Sequence, residues 1–231
     1  MNFLDCTLRD GGYYNAWDFS PQLIADYLQA MRPAGVDIVE LGFRFLKNNG
    51  FKGPCAFTTD SFLRDLDIPH GLTVGVMVNG ADLCTDIGLY AALEKLFPVA
   101  ASDTPVELVR MACHFHELPN AFEAADWLKE RGYRIGINLM QITDRTEQEV
   151  LDLARRAAQS AIEVLYFADS MGSMTPEDTA RVIGWLRNGW DGPIGVHTHD
   201  NMGLALSNTL RAQAEGATWS RSSGCSGSAT R

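Results

Sequence analysis

The stretch YRIGINLMQITDRTEQEVLDLARRAAQSAIEVLYF, residues 133–167, indicates the fold class of this chain. It opens with a short apolar run, Tyr133–Met140, and closes with a second one, Ile162–Phe167. Between them, in Thr146–Gln159, apolar residues recur at helical spacing. A strand, a helix and a second strand in this order predict two parallel strands joined by a crossover helix.

The same unit recurs along the chain, with a period of roughly 30 residues, as expected for strand–helix–strand units. Further strands are predicted at Phe3–Leu8, Asp37–Phe43, Leu72–Val78, Val106–Cys113 and Pro193–His197. Further helices are predicted from Ser20-Pro21 through Met31, and at Ser61–Leu66, Asn120–Glu130, Thr175–Leu186 and Met202–Glu215. Two architectures accommodate such an alternation, an open doubly wound sheet and a closed (β/α)8 barrel.

Polar residues follow most of the predicted strands, and their distribution favours the barrel. Examples are Arg9-Asp10, Asn79, Gln141 and His199-Asp200. In a barrel all of these converge on one mouth, whereas an open sheet concentrates them at one switch point. Neither GxGxxG after the first strand nor GxxxxGK[ST] occurs, so nothing supports a nucleotide-binding fold. We therefore predict a TIM barrel of the (β/α)8 type over residues 1–218.

The C-terminal residues 219–231 differ from the rest, because the chain becomes Ser/Gly-rich and loses its periodicity after Ala217-Thr218. Only seven strand–helix units precede them. We predict that residues 219–231 form a tail, that the eighth unit is missing, and that the barrel is open between its first and seventh strands. A frameshifted or truncated reading frame, and with it a chain without activity, is one hypothesis for this end.

Composition excludes several other classes of protein. The chain has 231 residues, of which 46% are apolar and 21% charged, as in a globular domain. It carries 19 basic and 29 acidic residues, a net charge of −10, which argues against a nucleic-acid partner. No apolar run is long enough for a membrane span, and no secretory signal is visible. The five cysteines include no CxxC pair, so we expect reduced thiols and a cytoplasmic location.

Three short motifs contain residues suited to chemistry. DCTLRDGG (5–12) places Arg9 and Asp10 before two glycines that permit a sharp turn, although a surface ion pair would look the same. In GVHTHDN (195–201), His197 and His199 share one face of a strand, where they either cap the strand or ligate one divalent ion with a carboxylate from elsewhere. Glu40 in VELGF (39–43) lies in an apolar run and needs a partner, for which Arg9 is the natural choice.

The combination TLRDGG, VELGF and HTHDNMGLALSN, in this order, resembles the pyruvate-carboxyltransferase-like, or HMG-CoA-lyase-like, metal-dependent TIM barrels. That group includes 4-hydroxy-2-oxovalerate aldolase, HMG-CoA lyase, and the isopropylmalate and homocitrate synthases. The similarity runs from about residue 3 to residue 218, and LDCTLRDGGYYNAWDF is most similar to the aldolase-like members.

The resemblance implies a role for each matching residue. Asp10, His197 and His199 correspond to the metal ligands, and Arg9 to the arginine that binds the substrate carbonyl and the developing enolate. Glu40 corresponds to the glutamate that pairs with this arginine. Two histidines and a carboxylate suit Mn²⁺, which we favour, as well as Mg²⁺, Co²⁺ or Zn²⁺.

One position departs from the aldolases, which have a catalytic histidine where this chain has Tyr13. An ordinary tyrosine is a weak base at neutral pH, so either Tyr13 acts as an acid or hydrogen-bond donor, or another group transfers the proton. His114 is the candidate for catalysis, and His116, Asp169 and Lys47 are candidates for binding substrate.

The resemblance implies a metal-dependent carbon–carbon lyase that cleaves or forms a 4-hydroxy-2-oxo acid through a pyruvate-type enolate. An acyl or carboxyl transferase of the same barrel is the alternative; the synthases carry C-terminal regions that this sequence lacks, which favours the lyase. A hydrolase is disfavoured because its HxH would end the first strand. The expected partners are a small 2-oxo acid, and either a second copy of the chain or an enzyme that accepts the aldehyde.

Overall fold

The computed structural model describes residues 1–222, which form eight parallel strands closed into a barrel in sequence order. The strands are β1 (Asn2–Asp5), β2 (Ile38–Phe43), β3 (Thr73–Asn79), β4 (Val106–Cys113), β5 (Arg134–Leu139), β6 (Val164–Ala168), β7 (Ile194–His197) and β8 (Trp219–Ser222). The helices are α1 (Thr7–Asn15), α2 (Pro21–Met31), α3 (Asp60–Arg64), α4 (Leu89–Leu96), α5 (Leu118–Glu130), α6 (Glu147–Ala157), α7 (Pro176–Arg187) and α8 (Ala205–Ala214). The predicted TIM barrel is confirmed.

The prediction that the barrel lacks its eighth strand is wrong. Trp219 pairs with Asn2 of β1 and with Gly195 of β7, so β8 closes the gap between the first and seventh strands. The segment lacks apolar alternation because the residue that follows Trp219 on the same face of β8 is Arg221, which is charged. Trp219, Ser220 and Arg221 are nevertheless buried. The rest of the predicted tail, residues 223–231, lies outside the described residues.

The first strand also ends earlier than predicted. Phe3–Leu8 was expected to be extended, but β1 stops at Asp5 and the TLRDGGYYN segment forms α1. Asp5 favours this change, because its carboxylate accepts hydrogen bonds from the Thr7 backbone (2.8 Å) and hydroxyl (3.1 Å). Arg9 and Asp10 therefore lie in the first turns of a short helix above the barrel, not in a turn at the end of a strand.

Helix starts agree with local sequence signals. Ser20 caps α2 through a 3.2 Å hydrogen bond from Leu23, and Thr175 caps α7 in a capping box with Asp178. The helix α4 was not predicted, and Gly88 at its N-cap position, with φ of 85°, offers no side-chain cap that would mark its start.

Among the described residues, no helix is both long and apolar enough to cross a bilayer.

The barrel interior changes from apolar to charged towards the C-terminal ends of the strands. A small apolar cluster fills one part: Leu4, Cys6, Ile38, Leu108, Val164, Tyr166 and Trp219. Gly195 is required beside it, because a Cβ there would lie 2.2 Å from the Tyr166 ring. The Arg110 guanidinium lies 4.0 Å from the centre of that ring, and with Glu40 it forms the floor of the site described below.

Candidate active site

A cavity of about 210 Å³ opens at the C-terminal mouth of the barrel. Its polar lining comes from α1 and from the ends of five strands: Arg9, Asp10, Tyr13, Asn79, Asn138, Ser170, His197, His199 and Arg221. Active sites of this fold lie at this mouth because strand ends and the following loops converge there. The structure thus brings together the three predicted metal ligands, Arg9 and Tyr13.

The floor of the cavity is a buried network centred on Glu40. One Glu40 oxygen accepts a 3.0 Å hydrogen bond from Arg9 Nε, and the other accepts 2.9 Å from Arg110 Nη1. Arg110 Nη2 also donates to Asn138 Oδ1 at 3.2 Å. Glu40 and Arg110 are inaccessible to solvent, where a carboxylate must be paired and hydrogen-bonded to be tolerated. The predicted Arg9–Glu40 pair is present, and Arg110 is a second arginine that pairs with Glu40.

Arg9 is fixed by these contacts and leaves one donor available. Its Nη1 pairs with Asp10, and its backbone carbonyl accepts a 2.9 Å hydrogen bond from Trp17 Nε1. Burial tends to lower the pKa of Arg9, but Asp10, Cys6 and Glu40 raise it, so the guanidinium stays charged. Arg9 Nη2 is buried and has no hydrogen-bond partner among the described residues. A buried donor without a partner, next to a cavity, is suited to an oxygen of a ligand.

The two histidines converge through their Nε2 atoms, which are 3.0 Å apart. His199 Nδ1 lies 2.7 Å from the Asp169 carbonyl oxygen. A carbonyl only accepts, so His199 Nδ1 carries a proton, and Nε2 is the ring nitrogen that faces His197. His197 Nδ1 is buried without a partner among residues 1–222, and burial lowers the pKa of His197, which is therefore neutral.

This arrangement fits a divalent cation at the two imidazoles. Two ligand nitrogens, each about 2.1 Å from one ion, can lie 3.0 Å apart. The backbone hydrogen bond to His199 is the kind of contact that orients metal-ligating histidines. As the side chains stand, however, the described residues contain no group of three or more His, Cys, Asp or Glu placed to hold a metal ion.

The third expected ligand, Asp10, is bound to arginines. Its Oδ2 accepts a 2.8 Å hydrogen bond from Arg221 Nη2, and its Oδ1 pairs with Arg9. The Cys6 thiol is 3.3 Å from the same Oδ2. The donor set is thus chemically suited to a divalent ion and lines one cavity, but Asp10 must exchange Arg221 for the ion to complete it.

Tyr13 lines the same cavity on the outer side of α1. Its ring packs edge-on against Trp17 at 4.8 Å and against Phe43 at 5.9 Å between centroids. Burial raises the pKa of Tyr13, Arg9 lowers it and Asp10 raises it, with a net increase. The phenol is therefore protonated at neutral pH, which suits a hydrogen-bond donor or acid better than a base.

The other predicted site residues lie outside this cavity. His114 and His116 line a separate space with Phe115, Gln141 and Arg145, and the His116 side chain is 79% exposed. The Asp169 carboxylate accepts backbone hydrogen bonds from Ser173 and Met174, and so orders the loop after β6. Lys47 lines an adjoining cavity.

Sequence reasoning missed Arg110, Asn138 and Arg221. Arg110 carried a usable signal, since it interrupts an apolar strand just as Glu40 does, and buried charges require partners. Asn138 interrupts β5 in the same way. Arg221 carried no such signal, because it lies in a segment without apolar alternation.

A sequence model of the HMGL-like family matches residues 93–224, more than half of the chain and including the His-x-His strand. The chain belongs to the HMGL-like family. Among curated relatives of this HMGL-like barrel, the 4-hydroxy-2-oxovalerate aldolase of Pelotomaculum thermopropionicum is 29% identical over 94% of the chain. The chain spans only 62% of that relative's length.

Solved structures show the same barrel. The N-terminal domain of a candidate aldolase from Bacteroides vulgatus superposes with a TM-score of 0.84 at 26% identity, covering 96% of this chain and 72% of that one. An HMG-CoA lyase from Bacillus subtilis superposes with a TM-score of 0.77 at 16% identity, covering 99% of this chain and 78% of that one. This similarity shows a shared fold.

Proposed function

We propose that this HMGL-like barrel is a divalent-metal-dependent carbon–carbon lyase, an aldolase that cleaves a 4-hydroxy-2-oxo acid to pyruvate and an aldehyde, or forms it. The observation that carries the proposal is the unpaired Arg9 Nη2, buried beside the cavity that also holds the convergent histidines. The aldolase relatives support the reaction class.

His197, His199 and Asp10 are the proposed ligands of the ion, for which Mn²⁺ is the first choice and Mg²⁺, Co²⁺ and Zn²⁺ are alternatives. When bound, such an ion supplies Lewis-acid polarisation of the 2-oxo group. The Asp169 carbonyl contacts His199 Nδ1 and so orients the ring with Nε2 towards His197.

Arg9 is the proposed stabiliser of negative charge on the substrate. Bond cleavage next to a carbonyl leaves an enolate, and a preorganised donor at its oxygen lowers the barrier. Arg9 meets this requirement because Glu40 and Asp10 fix two of its nitrogens, so that Nη2 can donate without reorganisation. Glu40 and Arg110 are positioning residues, since they act on substrate only through Arg9.

Tyr13 is the proposed acid in the bond-forming direction, in which the aldehyde oxygen becomes a hydroxyl. Its raised pKa keeps the proton on the phenol until that oxygen develops charge. His114 and His116 would have to reach across from their own cavity, so their predicted roles have no geometric support in this arrangement.

The experiment is a coupled assay of the purified chain with Mn²⁺. Several 4-hydroxy-2-oxo acids of different length are supplied, and pyruvate release is followed by NADH oxidation with lactate dehydrogenase. We expect release that EDTA abolishes, and an Arg9→Lys variant with kcat lower by about 100-fold, the scale for losing one such donor. Arg211→Lys, on the exposed surface of α8, is the matched control. Metal-bound protein that releases no pyruvate from any substrate would refute the proposal.

A further inference from the structure

A second cavity, of about 240 Å³, adjoins the active-site cavity. It is lined by Phe45, Lys47, Asn49, Lys52, Asn79 and Asp82, most of them from the loop after β2. Asn79, at the end of β3, lines both cavities, so the two spaces meet at its side chain. A ligand that spans Asn79 would therefore have one end in each cavity.

Two lysines give this cavity its chemical character. Lys52 Nζ donates a 3.2 Å hydrogen bond to the Asn49 carbonyl and lies 5.8 Å from the centre of the Phe45 ring. Neither Lys47 nor Lys52 forms an ion pair in the part of the chain that the structure describes, where every salt bridge uses arginine or histidine. Both ammonium groups thus retain the capacity to bind an anion.

Stacked aromatic rings connect the lysines to the active site. Phe45 stacks on Phe43 with centroids 4.5 Å apart and an angle of 12°. The Arg9 guanidinium lies 5.4 Å from the centre of the Phe43 ring. Arg9 therefore lies near one ring of the stacked pair and Lys52 near the other, so the two rings bridge the two cations.

Asp82 is the one acidic residue of this lining. Burial raises its pKa, while a hydrogen bond from the Leu46 backbone and the charge of Lys47 oppose that increase. Two lysines against one carboxyl group leave the cavity positive even when Asp82 is ionised.

We infer that the cavity between Lys47 and Lys52 is a subsite for a second anionic group, at the end of the substrate that becomes the aldehyde. The inference rests on the proposed lyase function for its substrate class: a 4-hydroxy-2-oxo acid that carries a remote carboxylate or phosphate. The 2-oxo acid end lies at Arg9 and the histidines, and the remote anion lies at the lysines.

Binding is tested without turnover, using two 2-oxo acids of equal length that lack a 4-hydroxyl group. 2-Oxoadipate carries a remote carboxylate, and 2-oxohexanoate has a methyl group there. Calorimetry with Mn²⁺ present should show 2-oxoadipate binding about tenfold more tightly, the scale of a charge-assisted contact. The Lys47→Gln/Lys52→Gln double variant should lose this preference, Lys129→Gln on the exposed face of α5 should retain it, and Asp82→Asn should increase it.

Turnover then identifies the anion. Condensation of pyruvate with succinic semialdehyde, glyceraldehyde 3-phosphate and their neutral counterparts butanal and glyceraldehyde is compared by kcat/KM. Preference for the carboxylate or the phosphate aldehyde, lost in the double variant, identifies the source. If the binding preference is present but no aldehyde condenses, the subsite stands and the lyase proposal fails. Equal binding of the two 2-oxo acids, or a preference that survives in the double variant, overturns the inference.

Discussion

Arg221 donates a hydrogen bond from Nη2 to Oδ2 of Asp10, at 2.8 Å, across the junction of β8 and α1. Its Nε also contacts the Cys6 sulfur at 2.8 Å, so the guanidinium is held at two points and is 4% exposed. Asp10 is the only carboxylate among the proposed metal ligands. Arg221 therefore supplies the positive charge at the oxygen where a divalent ion would otherwise bind.

Replacing Arg221 should strengthen metal binding. Arg221→Met keeps an unbranched, flexible apolar stem and removes the charge that competes for Asp10, so we expect Mn²⁺ affinity to rise by about tenfold, the effect of losing one close charge contact. Isothermal titration calorimetry measures it, with circular dichroism to verify folding. Arg211→Met, on the exposed face of α8, should leave the affinity unchanged. An Arg221→Met protein that folds and binds Mn²⁺ no better would show that the pair does not compete with the ion.

Removing a ligand should have the opposite effect. Asp10→Asn and His199→Ala each delete one of the three proposed donors, and we expect Mn²⁺ affinity to fall at least tenfold, as ligand loss does at sites with few protein donors. The same titration measures it, with Asp191→Asn at an exposed position as the control. Unchanged affinity in either variant would remove that residue from the ligand set.

The Glu40 carboxylate should be essential for the stability of the fold as well as for the position of the Arg9 side chain. Glu40→Gln leaves the Arg9 and Arg110 guanidinium groups buried without their shared counter-charge. Breaking a buried ion pair in this way costs about 3–5 kcal/mol in free energy of unfolding. Urea denaturation provides the measurement, and Glu94→Gln on the exposed face of α4 is the control. A loss below about 1 kcal/mol would mean that solvent reaches the network.

The pair between Arg134 and Glu163 should make stability depend on pH. Arg134 donates two hydrogen bonds, of 2.9 and 2.7 Å, to the Glu163 carboxylate and lowers its pKa from the usual 4.5. Because the folded-state pKa is depressed, this stabilisation is complete above pH 4.5 and disappears as the pH falls through the folded-state pKa.

Glu163→Gln tests this relationship. The Glu163 side chain is 38% exposed, and solvent screens the pair, so we expect a loss of only about 0.5 kcal/mol at pH 7. The difference from the parent chain should vanish in acid below the folded-state pKa. Thermal unfolding of both proteins between pH 7 and pH 3 measures this difference in stability. A difference that stays constant with pH would contradict an electrostatic origin.

Much of the fold could be predicted from periodicity. The strands β2 to β7 and the helices α2, α5, α6 and α7 lie within a few residues of their predicted bounds, because their burial follows local apolar patterns. Strand β8 could not be predicted in this way, since Trp219, Ser220 and Arg221 are buried in a strand that pairs with β1 and β7. The first strand was misjudged because Asp5 ends it through hydrogen bonds to its own chain.

By itself the sequence determined the alternation of strands and helices and the barrel, and it predicted that Arg9, Asp10, Glu40, His197 and His199 belong to one site. The alternation and the barrel follow from local pattern, the pairing of Arg9 with Glu40 follows from a buried charge that needs a partner, and the grouping of Asp10 with the two histidines follows from the resemblance to the HMG-CoA-lyase-like barrels. Only the tertiary structure decided that Arg110 shares Glu40, that Arg221 binds Asp10, and that Asn79 lines both the lysine cavity and the candidate active site. These contacts join residues distant in the sequence through barrel closure, and no local periodicity encodes which side chains then meet.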